Sequence, residues 1–126
     1  MRLLHRNTSG PLPTSSFDLV NDTGEVIGFC QVRHRPSRNA DLPSEAANHI
    51  YYEIAKAHRG RGYGKTLMGL ALAEAKHIGL EKVRLTVDDD NPVSRHIIER
   101  HGADWVRDFV CRQGRRVHLF EIMLGW

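Results

Sequence analysis

Three glycines spaced two residues apart, Gly60, Gly62 and Gly64, separate a strand-like run from a helix-like run. The segment before them, HIYYEIA at 49–55, is rich in β-branched and aromatic residues, and the segment after them, KTLMGLALAEAKHI at 65–78, repeats apolar residues at helical spacing. A glycine-rich turn that opens a helix presents backbone N–H groups at the positive end of the helix dipole, which favours a diphosphate. The stretch therefore predicts a strand, a phosphate-binding turn and a helix in succession.

Two common phosphate-binding motifs do not fit this turn. A Walker A loop needs a glycine five places before its Gly-Lys pair, and Arg59 stands there. A dinucleotide fingerprint aligned on Gly60 and Gly62 needs a glycine where Lys65 stands. Arg59, Arg61 and Lys65 nevertheless supply cations around one point, which favours a phosphate ligand with a long tail. The alternative is a tight turn between strand and helix that binds nothing.

The composition predicts one soluble domain over residues 1–126. The chain is 40% hydrophobic and 26% charged, and it has neither an apolar run of membrane-spanning length nor a signal-peptide core, so we expect a cytoplasmic protein. A net charge of +3 from mixed charges, with 7% aromatic residues, favours a small anionic ligand over nucleic acid. Cys30 and Cys111 lie in predicted strands far apart in sequence, which is typical of buried reduced thiols.

The N-terminal third predicts antiparallel strands and a loop. Residues 17–20 and 25–34 form a hairpin around the turn NDTG at 21–24, and a short strand at 2–6 precedes them. Residues 35–48 contain two prolines and several small polar residues, so we expect a long loop bordering a site.

The C-terminal half predicts a strand, a helix and a hairpin. The strand at 82–88 follows the first helix and is predicted parallel to the strand before that helix. Asn91 caps a second helix that stops at Gly102, and strands at 104–111 and 116–124 close the chain as a hairpin. The predicted fold is α/β (α+β), with a mixed, mostly antiparallel sheet around a β-α-β-α core.

Two motifs in this core resemble those of the GNAT acetyltransferase superfamily. The segment 59–64, RGRGYG, is similar to the R/Q-x-x-G-x-G/A turn that holds the pyrophosphate of acetyl-CoA. The segment 91–103, NPVSRHIIERHGA, resembles the signature N-x-x-A/S-x-x-L-Y-E-K-x-G and begins 27 residues after Gly64. The resemblance covers about residues 17–124 and is strongest to acetyltransferases without an assigned substrate. It implies transfer of an acetyl group from acetyl-CoA to an amine, with no metal.

The resemblance also implies which residues surround acetyl-CoA. Backbone groups of 54–56 are expected to hold the pantetheine arm and polarise the thioester carbonyl, the amides of 61–65 to hold the pyrophosphate, and Asn91 and Ser94 to reach the pantetheine or thiol end. The implied binding residues are Ile54, Ala55, Lys56, Arg59, Gly60, Arg61, Gly62, Tyr63, Gly64, Lys65, Thr66, Asn91 and Ser94.

The candidate catalytic residues are Glu53, His49 and Ser94. Glu53 is the first candidate for the base that deprotonates the acceptor ammonium, although a solvated surface carboxylate is an equal alternative; His49 is a weaker candidate and Asp88 weaker still. Ile98 stands where many members carry the tyrosine that protonates the leaving thiolate, so water, Ser94 or the ammonium-derived proton takes that role.

Several other polar residues are predicted to lie on the surface. His96 and His101 are five residues apart on a helix and do not share a face, so they do not predict a metal site. Arg33 and His34 lie at a strand end, where a charge is usually solvated, although they are candidates for binding an acidic acceptor.

The segment before residue 17 is too short for the two helices that usually cover the acceptor side in this superfamily. The departures at Ile98 and at the N-terminus keep open a second function, an acyl-CoA-binding sensor or assembly subunit without transfer activity. The short N-terminal segment also predicts a homodimer, in which the loop 35–48 or the edge of the C-terminal strand with Trp126 completes the acceptor site of the partner copy.

Overall fold

The computed structural model describes residues 1–9, 13–37 and 48–125. Within these ranges the chain forms strands and two α-helices in the order that the sequence predicts. The strands are β1 (Arg2–Ser9), β2 (Thr14–Val20), β3 (Val26–Ser37), β4 (Asn48–Ile54), β5 (Lys82–Asp88), β6 (Asp104–Val110) and β7 (Arg116–Met123), and the helices are α1 (Tyr63–His77) and α2 (Pro92–Arg100).

The strands form two antiparallel sheets. One has the order β1-β2-β3-β4 and the other β5-β7-β6. The α+β class is therefore confirmed. The mixed, mostly antiparallel sheet expected from the sequence is split into two sheets at β4 and β5, because within the described residues β4 pairs with β3 and β5 with β7, and no backbone ladder joins β4 to β5.

Side chains join the two sheets where β4 lies beside β5. The Thr86 amide donates to Oδ1 of Asn48 at 2.6 Å, and Nδ2 of Asn48 donates to Oγ1 of Thr86 at 2.6 Å. The Arg84 amide donates to Nδ1 of His49 at 2.9 Å. A part-buried amide at a strand edge needs an acceptor, and these side chains supply it in place of a neighbouring backbone. The β4 and β5 backbones consequently form no hydrogen-bond ladder with each other. Cavities lie beside this contact between the two sheets.

The main core lies between the sheets and α1. The predicted apolar face of α1 is buried through Leu67, Met68, Ala71, Leu72 and Ala75, and it packs with residues of β2, β3 and β5. The helix begins two residues earlier than predicted, at Tyr63, and ends just before Gly79, whose φ of 96° stops it as expected.

The C-terminal strand is central in its sheet, which corrects the predicted edge contact. β7 pairs with β5 on one side and β6 on the other, because the closing hairpin folds β6 outward. The exposed edge is β6, where Trp105, Val106 and Val110 are 57%, 40% and 65% exposed. Trp126 lies outside the described residues.

Other boundaries differ in detail from the prediction. The two strands expected before β3 are both present and both longer than predicted, and the described residues before Val20 contain no helix. β3 extends to Ser37 and β4 begins at Asn48, so the loop predicted at 35–48 is shorter, and its residues 38–47 lie outside the described ranges. Cys30 is buried in β3, and Cys111 is a buried free thiol one residue past β6 rather than within it.

Candidate active site

The glycine turn between β4 and α1 has an open backbone. Gly60 and Gly62 adopt φ of 79° and 82°, a conformation that L side chains rarely take, and a Cβ at either would meet nothing within 4 Å. Gly62 caps α1 without a side-chain hydrogen bond, and the first turn of α1 carries no acidic residue. Backbone N–H groups at this helix end therefore face open space, and the geometry fits a diphosphate.

A cleft of about 840 Å³ lies against this turn. Its walls come from the end of β4, the glycine turn and the first turns of both helices. The lining residues are Tyr52, Glu53, Ile54, His58, Arg59, Gly60, Gly62, Tyr63, Gly64, Lys65, Asn91, Pro92, Val93, Ser94, His96 and Ile97. Its size and its continuity with the helix end fit an elongated phosphate-containing ligand. We call this space the cofactor cleft.

Gly64 has a packing role that the sequence motif does not reveal. A Cβ there would lie 2.7 Å from Cδ1 of Ile97 on α2. Glycine at this position therefore lets α1 and α2 approach each other. A β-branched residue at Gly64 would change helix packing as well as any ligand contact, so Gly62 is the cleaner position for testing the turn.

Some of the predicted ligand-binding groups are already hydrogen-bonded within the chain. The Ala55 amide donates to the Ile27 carbonyl at 2.8 Å, so it is not free for a pantetheine arm. Nε of Arg59 donates to the Ile54 carbonyl at 3.0 Å. Nδ1 of His58, in contrast, is buried without a hydrogen-bond partner among the described residues. His58 lines the cleft and was not anticipated from the sequence.

The N-terminus of α2 closes the cleft opposite the glycine turn. Oδ1 of Asn91 accepts from the Ser94 amide at 3.1 Å, which confirms the predicted cap. The Ser94 hydroxyl lies 2.7 Å from the hydroxyl of Tyr52 on β4. Burial raises the pKa of Tyr52, and the hydrogen bond with Ser94 works against this shift. The phenol therefore keeps its proton at neutral pH.

A second cavity of about 390 Å³ lies on the other side of α2's first turn. It is lined by Asn48, Tyr51, Thr86, Val87, Asp88, Asn91, Ser94, Cys111, Arg115 and Val117. Asn91 and Ser94 are the described residues that line both this cavity and the cofactor cleft. The two spaces therefore meet at the N-terminus of α2. We call this space the second cavity.

Charged and ionisable groups surround the second cavity. Nη1 of Arg115 donates to Oδ2 of Asp88 at 2.8 Å, while the Asp88 carbonyl accepts from the Asn91 amide and so shapes the turn into α2. Burial opposes ionisation of the Cys111 thiol, but hydrogen bonds from Gln113 and Arg115 outweigh it and lower the pKa of the thiol. The contact between Arg115 and Asp88 joins residues 27 apart in the sequence, so no local pattern predicts it.

The predicted bases lie in different surroundings. Glu53 lines the cofactor cleft, where its carboxylate accepts from the Tyr51 hydroxyl at 3.1 Å and lies 3.5 Å from Nη2 of Arg59. His49 is buried, lines neither space, and has its pKa lowered by burial and by the charge of Arg84, followed by Arg33 and Lys82. Its Nδ1 is an acceptor for the Arg84 amide, so His49 acts in the joint between the sheets.

The other residues singled out in the sequence are explained by their exposure, hydrogen bonds or burial. His96 is exposed at the cleft, whereas Nδ1–H of the half-buried His101 donates to the Ile97 carbonyl at 2.9 Å, so of these two histidines His96 alone is fully exposed. His34 lies 3.0 Å from the Ser15 hydroxyl, and burial lowers the pKa of Arg33. Ile98 is buried in the core and does not line the cleft.

The buried side chain of His118 lies between two aspartates near the second cavity. Nδ1 of His118 lies 2.6 Å from Asp108, and Nε2 lies 2.7 Å from Asp89 in the turn before α2. Burial disfavours its charged form, but the hydrogen bonds to Asp108 and Asp89 outweigh burial and raise the pKa of His118. Trp105 donates to the same Asp108 oxygen at 2.7 Å, and its hydrogen bond together with that of His118 lowers the pKa of Asp108.

The described residues contain neither a membrane-spanning helix nor a candidate metal cluster. Among residues 1–9, 13–37 and 48–125, no helix is long and apolar enough to cross a membrane. The same ranges contain no group of three or more histidine, cysteine, aspartate or glutamate side chains placed to hold a metal ion.

Comparisons with known proteins agree with this geometry. The curated acetyltransferase Pat of Mycolicibacterium smegmatis is 34% identical over 59 residues, which are 47% of this chain and 18% of the relative, so the match spans less than a fifth of that protein. Mutant forms of the spermidine/spermine N-acetyltransferase SpeG from Vibrio cholerae superpose with a TM-score of 0.68 at 21% identity, over 88% of this chain and 67% of theirs. A chimera of SpeG and hSSAT gives a TM-score of 0.71 at 21% identity, over 88% and 68%.

At this level of identity the solved structures establish the fold alone. The family assignment rests on the sequence model of the acetyltransferase (GNAT) family, which matches residues 4–103. That range contains the cofactor cleft, the glycine turn and the α2 cap, and the chain therefore belongs to the GNAT acetyltransferase family.

Proposed function

We propose that this chain is an N-acetyltransferase that uses acetyl-CoA and transfers its acetyl group directly to an amine. The observation that carries the proposal is the meeting of two spaces at Asn91 and Ser94, one beside a helix end that has no side-chain cap and one lined by polar side chains. Acetyl-CoA supplies the activated acetyl thioester. The cofactor cleft suits the coenzyme, and the second cavity suits the acceptor.

The residues of the cofactor cleft then have distinct roles. The amides that open α1, with the exposed cations Arg61 and Lys65, hold the pyrophosphate. The carbonyls of Ile54 and Ala55 each retain a second lone pair for the pantetheine arm, because each accepts one hydrogen bond within the chain. The other residues proposed to surround the pyrophosphate flank the glycine turn in the sequence. They are Lys56, Tyr63 and Thr66.

Glu53 is the proposed base. It lies in the cofactor cleft, and its partner Tyr51 lines the second cavity, so the carboxylate stands between coenzyme and acceptor. An acceptor ammonium of ordinary pKa, about 10.4 for a lysine-like amine, must lose a proton before its nitrogen attacks. His49 is less suited to this role because its accepting nitrogen already bonds the Arg84 amide.

An acceptor screen tests the function. Isothermal calorimetry with acetyl-CoA measures binding, and release of free thiol measures transfer to spermidine, amino acids and lysine-containing peptides. Spermidine enters the screen because the SpeG structures are those of a spermidine N-acetyltransferase. Binding together with amine-dependent thiol release supports the proposal. Binding without release by any amine would favour the acyl-CoA sensor, and absence of binding would refute both.

Replacement of Glu53 tests the proposed base. Glu53→Gln is expected to lower kcat/KM by roughly tenfold to ten-thousandfold, with the largest deficit at low pH where the ammonium dominates, and to leave acetyl-CoA affinity nearly unchanged. Asp18→Asn is the matched control, because Asp18 also pairs with an arginine but lies on β2 away from both spaces. Equal activity of Glu53→Gln and the parent would return Glu53 to the role of a surface carboxylate.

The homodimer and the cytoplasmic location expected from the sequence remain proposals. A contact between copies through the C-terminal sheet would have to use β6, whose edge is open, because β7 is paired on both sides.

A further inference from the structure

The hydroxyl pair of Tyr52 and Ser94 links β4 to α2 inside the cofactor cleft. Their oxygens lie 2.7 Å apart, and either hydroxyl is able to donate. Both side chains are half-buried and both line the cleft. A short hydrogen bond between two hydroxyls is a path along which a proton can move, since each oxygen both donates and accepts.

The pair spans the boundary between the two spaces. Ser94 lines both the cofactor cleft and the second cavity, whereas Tyr52 lines only the cofactor cleft. Asn91 also lines both spaces, but its side-chain oxygen is engaged by the Ser94 amide and a carboxamide does not relay protons readily. Ser94 is therefore the hydroxyl that contacts the acceptor side, and Tyr52 the phenol that contacts the coenzyme side.

A proton donor is needed on the coenzyme side, and the position expected to provide it does not. Ile98 is apolar and buried away from the cleft. Tyr52 approaches α2 from the facing strand and brings a phenol to the α2 N-terminus by another route. Burial raises the pKa of this phenol, so it is protonated at neutral pH.

Resting on the proposed function, we propose that Tyr52 donates a proton to the sulfur of the departing coenzyme A and that Ser94 reprotonates Tyr52 from the acceptor side. Glu53 takes one proton from the acceptor ammonium before attack. As the C–N bond forms and the C–S bond breaks, the C–S electron pair goes to sulfur. Tyr52 gives its proton to that sulfur, Ser94 gives its proton to Tyr52, and the second proton of the acceptor nitrogen restores Ser94.

The first test does not need an acceptor. Thiolate ultraviolet absorbance of bound coenzyme A, measured as a difference against free protein during a pH titration, gives the pKa of the bound thiol. A phenol that hydrogen-bonds the thiolate stabilises it, so Tyr52→Phe is expected to raise that pKa by roughly half a unit to one unit. Coenzyme A affinity near neutral pH should stay within about threefold of the parent.

The second test is kinetic, with acetyl-CoA and spermidine, or a lysine-containing peptide if spermidine is not acetylated. Tyr52→Phe is expected to lower kcat by roughly tenfold to a thousandfold with little change in the KM for acetyl-CoA. Ser94→Ala breaks the same hydrogen bond but leaves the phenol, so a smaller loss is expected, and Ser94→Thr should restore activity. Thr23→Ala removes a hydroxyl in the turn between β2 and β3, away from both spaces, and serves as control.

The outcomes separate this inference from the function on which it rests. A parent protein that binds no coenzyme A refutes the proposed function and the relay together. If the parent binds and transfers, an unchanged thiol pKa and unchanged kcat in Tyr52→Phe overturn the relay alone. Equal losses in Tyr52→Phe and Ser94→Ala, confined to coenzyme affinity or melting temperature, would show that the hydroxyl pair only fastens β4 to α2.

Discussion

The cofactor cleft and the second cavity are built in different ways. The cleft comes from two continuous segments, 52–65 and 91–97, and its distinctive features are glycine backbone and helix ends. The second cavity draws side chains from β4, β5, the start of α2 and the hairpin between β6 and β7. One space depends on local backbone geometry and the other on how distant segments meet.

The difference teaches where specificity resides. A backbone-built site offers amides and a helix dipole, which suit a phosphate group whatever the rest of the ligand is. A side-chain-built site presents a particular set of charges, here Asp88 and Arg115 beside the Cys111 thiol, and under the proposed function this set would select among acceptors. We expect substitutions in the cleft to change coenzyme affinity and substitutions in the second cavity to change acceptor use.

The largest effect should come from the glycine turn. Gly62→Val is expected to weaken acetyl-CoA binding by at least about tenfold, because the side chain occupies the open space above the turn and the φ of 82° strains any L residue. Isothermal calorimetry measures the acetyl-CoA affinity of the variant and the parent. Gly24→Val is the matched control, since Gly24 has a φ of 83° and open space but lies in the turn between β2 and β3. Equal affinity losses in both variants would mean that strain alone, and not the site, is responsible.

A smaller effect is expected in the second cavity. Arg115→Gln should raise the acceptor KM by roughly fivefold to fiftyfold and leave acetyl-CoA affinity unchanged, because Arg115 lines that cavity only. Steady-state kinetics with each substrate varied in turn separates the two constants. Arg6→Gln, which removes another exposed arginine–aspartate pair, is the control. If Arg115→Gln changed only the constants for acetyl-CoA, the proposed assignment of one space to the coenzyme and the other to the acceptor would be wrong.

The smallest effect concerns pH and the two buried histidines. The folded pKa of His118 is raised, so its contribution to stability is present below about pH 6.5 and is lost as pH rises through the folded value. The folded pKa of His49 is lowered, so its contribution is present above about pH 6.5 and is lost as pH falls. The two residues thus respond to pH in opposite directions.

Thermal melts of His118→Gln and His49→Gln across this pH range test the signs. The deficit relative to the parent should shrink with rising pH for His118→Gln and with falling pH for His49→Gln, each by less than about 1 kcal/mol. Parallel profiles for both variants would contradict the assigned charge states. A matching change in acceptor KM for His118→Gln alone would link its Asp89 contact to the second cavity.

Much of the fold could be predicted because its signals are local. The α1 periodicity, the Asn91 cap and the alternation of β5 each involve neighbouring residues, and the structure agrees with all three. The pairing of β7 between β5 and β6 is a non-local choice, and no local pattern decides it. The side-chain bridge from Asn48 to Thr86 is likewise invisible in sequence, since the residues are 38 apart.

The same distinction between local and non-local signals applies to the candidate site. The glycine turn and the Asn91 signature predicted residues that line the cofactor cleft, because a motif records spacing along the chain. Tyr52 lies in the strand-like segment 49–55, but nothing in the sequence shows that its hydroxyl reaches α2. Gly64 was assigned to ligand contact alone, since its proximity to Ile97 depends on how two helices cross.

The central position of β7 has a consequence for the order in which the chain folds. β5 shares no ladder with β4 in the described residues, so its ladder partner is a strand that begins 28 residues beyond its own end. During synthesis the first sheet, α1 and α2 are complete before β5 can pair. The second sheet therefore cannot be completed until β7 has been synthesised, and neither can the second cavity, which is lined in part by Val117 of β7.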